Sequence, residues 1–120
     1  MAKKIILIDD EKIVCDMGKK VLEVEGYEVE TFTDSKEALE RIKTTPFDLV
    51  ITDLKMEDVS GMDILKEVNK RYPKTKVIML TAYATLDAAI DALRERIFDF
   101  FPKPVKIEDL KQSVKKALED

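Results

Sequence analysis

The chain has no histidine, so any mechanism that needs a side-chain imidazole, as a triad base or a phosphocarrier, must borrow one from a partner. A single cysteine, Cys15, is present. That excludes an internal disulfide and fits a reducing cytoplasm; Cys15 itself reads as a small apolar residue on a helix rather than a reactive thiol. No apolar run approaches the length that spans a bilayer, and MAKKIILIDD at the N-terminus is too short in apolar residues for a signal peptide. A basic stripe is also missing. Lys and Arg number 21 against 25 Asp and Glu, a net charge of −4 with the signs interspersed, which argues against direct nucleic-acid binding, and no membrane partner is expected. What remains is one cytoplasmic domain over residues 1–120, long enough to bury a core without disulfide or metal staples.

What is present is a regular alternation of short apolar runs and amphipathic stretches. Residues 4–8 read as a buried strand and 11–25 as a helix that Gly26 terminates. Residues 28–32 alternate as a strand, and Asp34 then caps a helix with Glu37 completing a capping box. Residues 48–52 form a third strand, 60–72 a third helix stopped by Pro73, and 76–80 a fourth strand. Leu86, Ile90, Leu93 and Ile97, at spacings of four, three and four, predict the core-facing stripe of a fourth helix, which leaves Ala88 and Ala92 facing outward. Residues 98–101 are the fifth strand, and Ile107, Leu110, Val114 and Leu118 stripe a last helix. This order predicts an α/β domain whose parallel sheet is covered on both faces, as the continuously apolar IILI, LVI and VIML require. No linker, repeat or low-complexity segment interrupts it. In such sheets ligands bind beyond the carboxyl ends of the strands, where strand order reverses.

Those ends carry Asp9, Asp10 and Glu11 after the first strand, Asp53 after the third, Thr81 after the fourth and Lys103 after the fifth. Taken singly each has an innocent explanation: Asp9 or Asp10 as a helix cap, Thr81 as a partner for a loop amide, Lys103 as a surface lysine. Together they resist it. In a parallel sheet these ends share one edge, so three carboxylates converge, and like charges so close raise one another's pKa unless a cation intervenes. Mg²⁺, bound by one or two carboxylates with waters and a phosphoryl oxygen, resolves the repulsion. Lys103 sits in DFFPKPV, clamped by Pro102 and Pro104. Proline is excluded from strand interiors, so the fifth strand must end there in a sharp loop that aims the lysine at an anion. A carboxylate nucleophile, a metal, a lysine and a hydroxyl are the parts that phosphoryl transfer to an aspartate needs.

The segments LIDDE, DLVITDLKM with Gly61 following, VIMLTAYA and DFFPKPV resemble those of receiver domains of bacterial two-component response regulators, and the resemblance covers essentially all 120 residues. The stretches TAYATLDAAIDAL and DFFPKP are most similar to receivers of nitrogen-regulator-type transcriptional activators. The resemblance implies a flavodoxin-like (βα)5 sheet in the order 2-1-3-4-5. It further implies a phosphorylation-activated switch that catalyses only its own phosphoryl transfer and autodephosphorylation, and controls transcription through an effector. Asp53 would accept the phosphoryl group from a histidine kinase. Asp10, Asp53 and the Lys55 backbone carbonyl would ligate Mg²⁺ directly, with Asp9 acting largely through water. Thr81 would hydrogen-bond the phosphoryl oxygens, Phe100 would be the switch aromatic that reorients with Thr81, and Lys103, preceding a cis proline bond, would pair with the phosphoryl group or Asp53. Lys55 and Tyr83 occupy positions that tune phosphoryl lifetime. The surface of the fourth helix, fifth strand and fifth helix would serve partners or a homodimer.

Two positions depart from the family's pattern. Glu57 stands where proline is common, and Arg96-Ile97 replace a Gly-Ala pair, removing glycine from a left-handed helix cap at a cost of about 1 kcal/mol. Rival readings fit less well. A haloacid-dehalogenase-type phosphatase carries its nucleophile on the first strand in a D-x-D pattern, and a flavodoxin-like flavin carrier needs hydroxyls and bare amides where this first turn is acidic. A degenerate receiver would not keep the whole constellation.

Overall fold

The protein was analysed as a computed structural model that describes residues 2–119. Along the chain run β1 (Lys4–Ile8), α1 (Lys12–Val24), β2 (Glu28–Phe32), α2 (Ser35–Thr44), β3 (Leu49–Thr52), α3 (Gly61–Arg71), β4 (Lys76–Thr81), α4 (Leu86–Arg94), β5 (Asp99–Pro102) and α5 (Ile107–Leu118). The strands are parallel and ordered β2-β1-β3-β4-β5, so the order reverses between β1 and β3, as the resemblance implied.

Why the central strands are apolar at every position is visible in the packing. Successive side chains of a strand point to opposite faces. Ile6, Ile8, Val50, Val77 and Met79 join a core with residues of α2, α3 and α4, while Ile5, Leu7, Leu49, Ile51, Ile78 and Leu80 join a second core with Leu22 of α1 and Leu110, Val114 and Ala117 of α5. Both faces are dry, so neither can tolerate polar alternation. Truncating one of these fully buried isoleucines to alanine costs about 2–5 kcal/mol, a large part of a small domain's stability.

The termini of the elements follow local chemistry. The Asp34 side chain accepts the Lys36 and Glu37 amides at the start of α2. The reciprocal capping box expected there forms instead at α3: Asp63 donates its amide to the Ser60 hydroxyl at 3.1 Å, and its carboxylate takes the Ser60 amide at 3.1 Å. Gly26, just past α1, has φ +93, and Arg96, just past α4, has φ +60. The latter is the left-handed cap anticipated without its usual glycine.

The fourth helix overturns one expectation. Leu86 and Leu93 are 76% and 67% exposed and Ile90 is exposed too, whereas Ala92 is 0% exposed and Ala88 packs on the core. Of the expected inward stripe, only Ile97, beyond the helix, is buried. Ala88 and Ala92 are also four apart, so two apolar stripes compete for the same helix. Small side chains let the α4 backbone approach the side chains of Met79 and Phe100, which share its core cluster; leucines on that face would overfill the space.

Candidate functional site

The carboxyl edge of the sheet is aligned by its own ladder. The Asp9 amide donates to the Phe32 carbonyl at 3.0 Å, the Asp53 amide to the Ile8 carbonyl at 3.0 Å, and the Lys103 amide to the Thr81 carbonyl at 2.9 Å. Each bond extends strand pairing about one residue past the last regular position, so the residues of the site are set in register before any side-chain contact forms. A turn follows each of them, and Gly61 shows how tightly one turn folds back. Its amide donates to the Leu54 carbonyl at 2.7 Å. A Cβ built on Gly61 would lie 2.9 Å from the Leu54 Cα and collide with the Asp53 carbonyl oxygen, so no side chain fits there without displacing the backbone of Asp53.

Within this frame Lys103 is the hub. Its Nζ donates to Asp9 Oδ2 at 2.6 Å and to Asp53 Oδ2 at 2.9 Å, with Glu11 Oε1 at 3.4 Å. The other carboxylate oxygens are held by backbone: Asp9 Oδ1 accepts from the Glu11 amide at 2.9 Å, and Asp53 Oδ1 from the Leu54 amide at 2.6 Å. Asp9 is 1% and Asp53 7% exposed. Burial pushes the Asp9 carboxyl above its usual value despite the opposing bonds from Lys103 and the Glu11 amide. Burial also opposes the charge on Lys103, but its hydrogen bonds to Asp9 and Asp53, with their charges, outweigh that and hold the ammonium well above the ordinary lysine value. Lys103 is thus the charged hub, and Asp9 the carboxylate whose charge burial opposes. The Lys103–Pro104 peptide bond is cis.

Asp10, unlike its neighbour, is exposed at the rim. One carboxylate oxygen each from Asp9, Asp10 and Asp53 lie within 4.8 Å of one another. Asp10 and Asp53 border an open cleft of about 450 Å³ that Lys55, Met56, Tyr83 and Lys103 also line. Hard oxygen donors beside this open cleft, with Lys103 bonded to two of the carboxylates, fit Mg²⁺ with water completing its shell. Across the cleft the Lys55 ammonium sits 4.5 Å from the centroid of the Tyr83 ring, a cation–π contact that ties the loops after β3 and β4 together. Thr81 is buried, and its Oγ1 accepts from the Tyr83 amide at 3.0 Å; its own hydroxyl hydrogen remains available to a new acceptor. Phe100 lies further back on β5, opposite Met79 and partly buried against the core beneath α4.

The structure therefore brings Asp9, Asp10, Asp53 and Lys103 into one cluster, puts Lys55 and Tyr83 on its walls, and leaves Thr81 one step away through the Tyr83 amide. Cys15 is buried, with its thiol 3.3 Å from the Asp9 carbonyl oxygen; burial pushes its pKa up, which agrees with an inert side chain. Glu11, placed at the same edge by the sequence but given no role there, reaches Lys103. One participant escaped the sequence reading: Ser35 hydrogen-bonds the loop after β3. The only sequence signal for Ser35 was its place beside a capping aspartate.

A doubly wound sheet with an acidic pocket and a fixed lysine at its carboxyl edge defines a class: small α/β domains that switch on phosphorylation. The chain belongs to the response regulator receiver domain family, whose pattern matches residues 5–115. It is 37% identical over 116 residues to the response regulator protein PilR of Pseudomonas aeruginosa, covering 97% of this chain and 26% of that protein. It is 30% identical over 112 residues to the DNA-binding transcriptional regulator NtrC of Klebsiella pneumoniae, covering 93% and 24%. The chain thus spans about a quarter of the length of these relatives. Among solved structures, a CheY-like receiver domain protein from Methanospirillum hungatei superposes with a TM-score of 0.94 at 35% identity, covering 98% of this chain and 94% of that one. The beryllofluoride-activated NtrC4 receiver domain dimer superposes with a TM-score of 0.89 at 27% identity, covering 96% and 95%. The chain is therefore a response regulator receiver, a phosphorylation-activated signalling switch, and it is similar to the receivers of NtrC-type regulators.

Proposed function

We propose that Asp53 is the phosphoacceptor and that the domain passes its phosphorylation state to an effector that controls transcription. The observation that carries this is the pair of bonds from Lys103 to Asp53 and Asp9 at the centre of an open acidic cleft. A carboxylate oxygen of Asp53 attacks the phosphorus of a phosphohistidine on a partner kinase; the P–N bond breaks and its electron pair leaves with the imidazole. This chain has no histidine, so that group must come from elsewhere. Asp10, Asp53 and the Lys55 carbonyl would hold Mg²⁺ directly, with Asp9 acting through water. When bound, the ion offsets the charge gathering on the phosphoryl oxygens. Lys103 exchanges its bond to Asp53 for one to the phosphoryl group. Thr81 donates its hydroxyl to a phosphoryl oxygen, drawing the segment of Tyr83 inward, and Phe100 takes up the space vacated beside it.

That shift favours one of two pre-existing states because the phosphoryl group touches it more strongly. Its readout is α4, whose exposed Leu86, Ile90 and Leu93, with Tyr83 nearby in sequence, form an apolar surface that partner or homodimer contacts would cover. Water entering in line with Asp53 ends the signal, so the domain's catalysis is confined to its own phosphorylation and dephosphorylation in the cytoplasm. Incubation with acetyl phosphate and Mg²⁺ is expected to add a single phosphoryl group, detected by intact-mass spectrometry, and Asp53→Asn to take up none. Undiminished labelling of that variant would move the acceptor elsewhere.

A further inference from the structure

Ser35 opens α2, immediately after the aspartate that caps it. Its hydroxyl is not used by its own helix, since the Asp34 side chain already accepts both the Lys36 and Glu37 amides. Instead it reaches a loop more than twenty residues away. Ser35 Oγ donates to the Glu57 carbonyl at 2.6 Å and accepts at 3.2 Å from the Val59 amide, which that same carbonyl also takes at 2.8 Å. Ser35 is buried although the loop residues Lys55, Glu57 and Asp58 are exposed, so the hydroxyl is a fixed anchor under a solvent-facing arc.

That arc needs one. It joins β3 to α3, and its neck is closed by the bond from the Gly61 amide to the Leu54 carbonyl. Its outer part carries no proline and passes through Asp58 at φ +67, a conformation that non-glycine residues adopt at a cost of about 1 kcal/mol or more. Acidic groups crowd it: Asp10, Asp34, Glu57 and Asp58 border one cleft, together with Ser35 itself. A neutral hydroxyl that gives one bond and takes another at two points of the arc resists opening without adding charge.

We infer that Ser35 is a positioning residue for the phosphoacceptor site: by holding Glu57 and Val59 it fixes the height of the Lys55 carbonyl, two residues before the clamp, over Asp53. The inference rests on the assignment of Asp53 and Lys55 made above. A group that orients a ligand from outside the coordination sphere typically carries a tenfold or larger effect on metal affinity, roughly 10–100-fold; with one neutral hydroxyl acting on a backbone ligand, the lower end applies.

The test compares wild type with Ser35→Ala and Ser35→Thr. Hydrogen exchange of the amides of residues 55–59, followed by NMR in metal-free protein, reads loop order directly, and titration of the same spectra with MgCl₂ reads affinity. In Ser35→Ala the Val59 amide is expected to exchange faster and Mg²⁺ to bind about tenfold more weakly, while amides of β1 and β3 keep wild-type protection. Ser35→Thr, which retains the hydroxyl, is expected to restore both. If Ser35→Ala lowers the unfolding midpoint but leaves loop exchange and Mg²⁺ affinity at wild-type values, the hydroxyl is only structural and the inference fails. Equal loss in the alanine and threonine variants assigns the effect to packing and overturns it as well. Wild type treated in parallel with acetyl phosphate separates the two levels: absence of phosphorylation there refutes the assignment of Asp53, whereas the exchange of the metal-free loop still decides the clamp.

Discussion

Single residues divide here into those that hold charge and those that shape backbone. Lys103 and Asp53 belong to the first kind, and their meeting was legible because charged residues at strand ends have few other reasons to converge. Arg96 belongs to the second. It sits at φ +60 past the end of α4, where a Cβ is disfavoured by about 1 kcal/mol. Arg96→Gly is therefore expected to stabilise the metal-free domain by about 1 kcal/mol in urea unfolding, with an unchanged slope. A decrease in stability would show that the arginine side chain makes up for its backbone. Lys55 and Tyr83 combine both kinds, since their cation–π contact spans the mouth of the cleft. Replacing both with alanine opens the path of water to Asp53, and we expect the phosphorylated form to decay several-fold faster while uptake from acetyl phosphate changes less. Equal decay rates, measured by loss of the phosphoryl mass, would remove them from that role.

At the scale of elements, α4 is where the inward direction was misjudged. Its leucines and isoleucine recur with helical spacing, but so do its alanines, and hydropathy weights the larger side chains. The space over β4 and β5 selected the alanines instead. The consequence is a helix that turns its larger apolar residues to solvent, which makes it a stronger candidate for a partner surface than two outward alanines would have been. Leu86→Glu with Leu93→Glu is expected to change unfolding stability by no more than about 0.5 kcal/mol, as exposed substitutions do, and to leave phosphorylation of Asp53 intact. Sedimentation of the phosphorylated protein is expected to show association in wild type and monomers in the variant. Equal association would place the contact on another face. On the proposed coupling role of Thr81, Thr81→Ala should accept the phosphoryl group yet show a much smaller change in that association.

For the whole molecule, the balance of charge at the carboxyl edge ties stability to metal. Three carboxylates converge there beside Lys103, which Glu11 also reaches, so the Mg²⁺ proposed for this site would be held by the folded state far better than by the unfolded chain. At a Mg²⁺ concentration about tenfold above the dissociation constant, linkage adds about 1.4 kcal/mol to stability. The unfolding midpoint should rise accordingly on adding MgCl₂ and fall back with EDTA, and Asp10→Ala should lose the response. A full response in Asp10→Ala would reduce Asp10 to a helix cap.

The sequence by itself determined the succession of strands and helices, the two-sided burial of the sheet and the residues that would meet at its carboxyl edge. These depend on apolar period, on caps and breakers, and on a topology that sends every parallel strand end to the same side. Among the described residues, what only the tertiary structure decided was orientation and reach: which stripe of α4 turns inward, how near Asp9, Asp10 and Asp53 approach, and that the Ser35 hydroxyl holds the loop at Glu57 and Val59. Period records how apolar residues are spaced but not which of two competing faces fits the space available, and a bond between residues 22 positions apart exists only once packing has placed both ends.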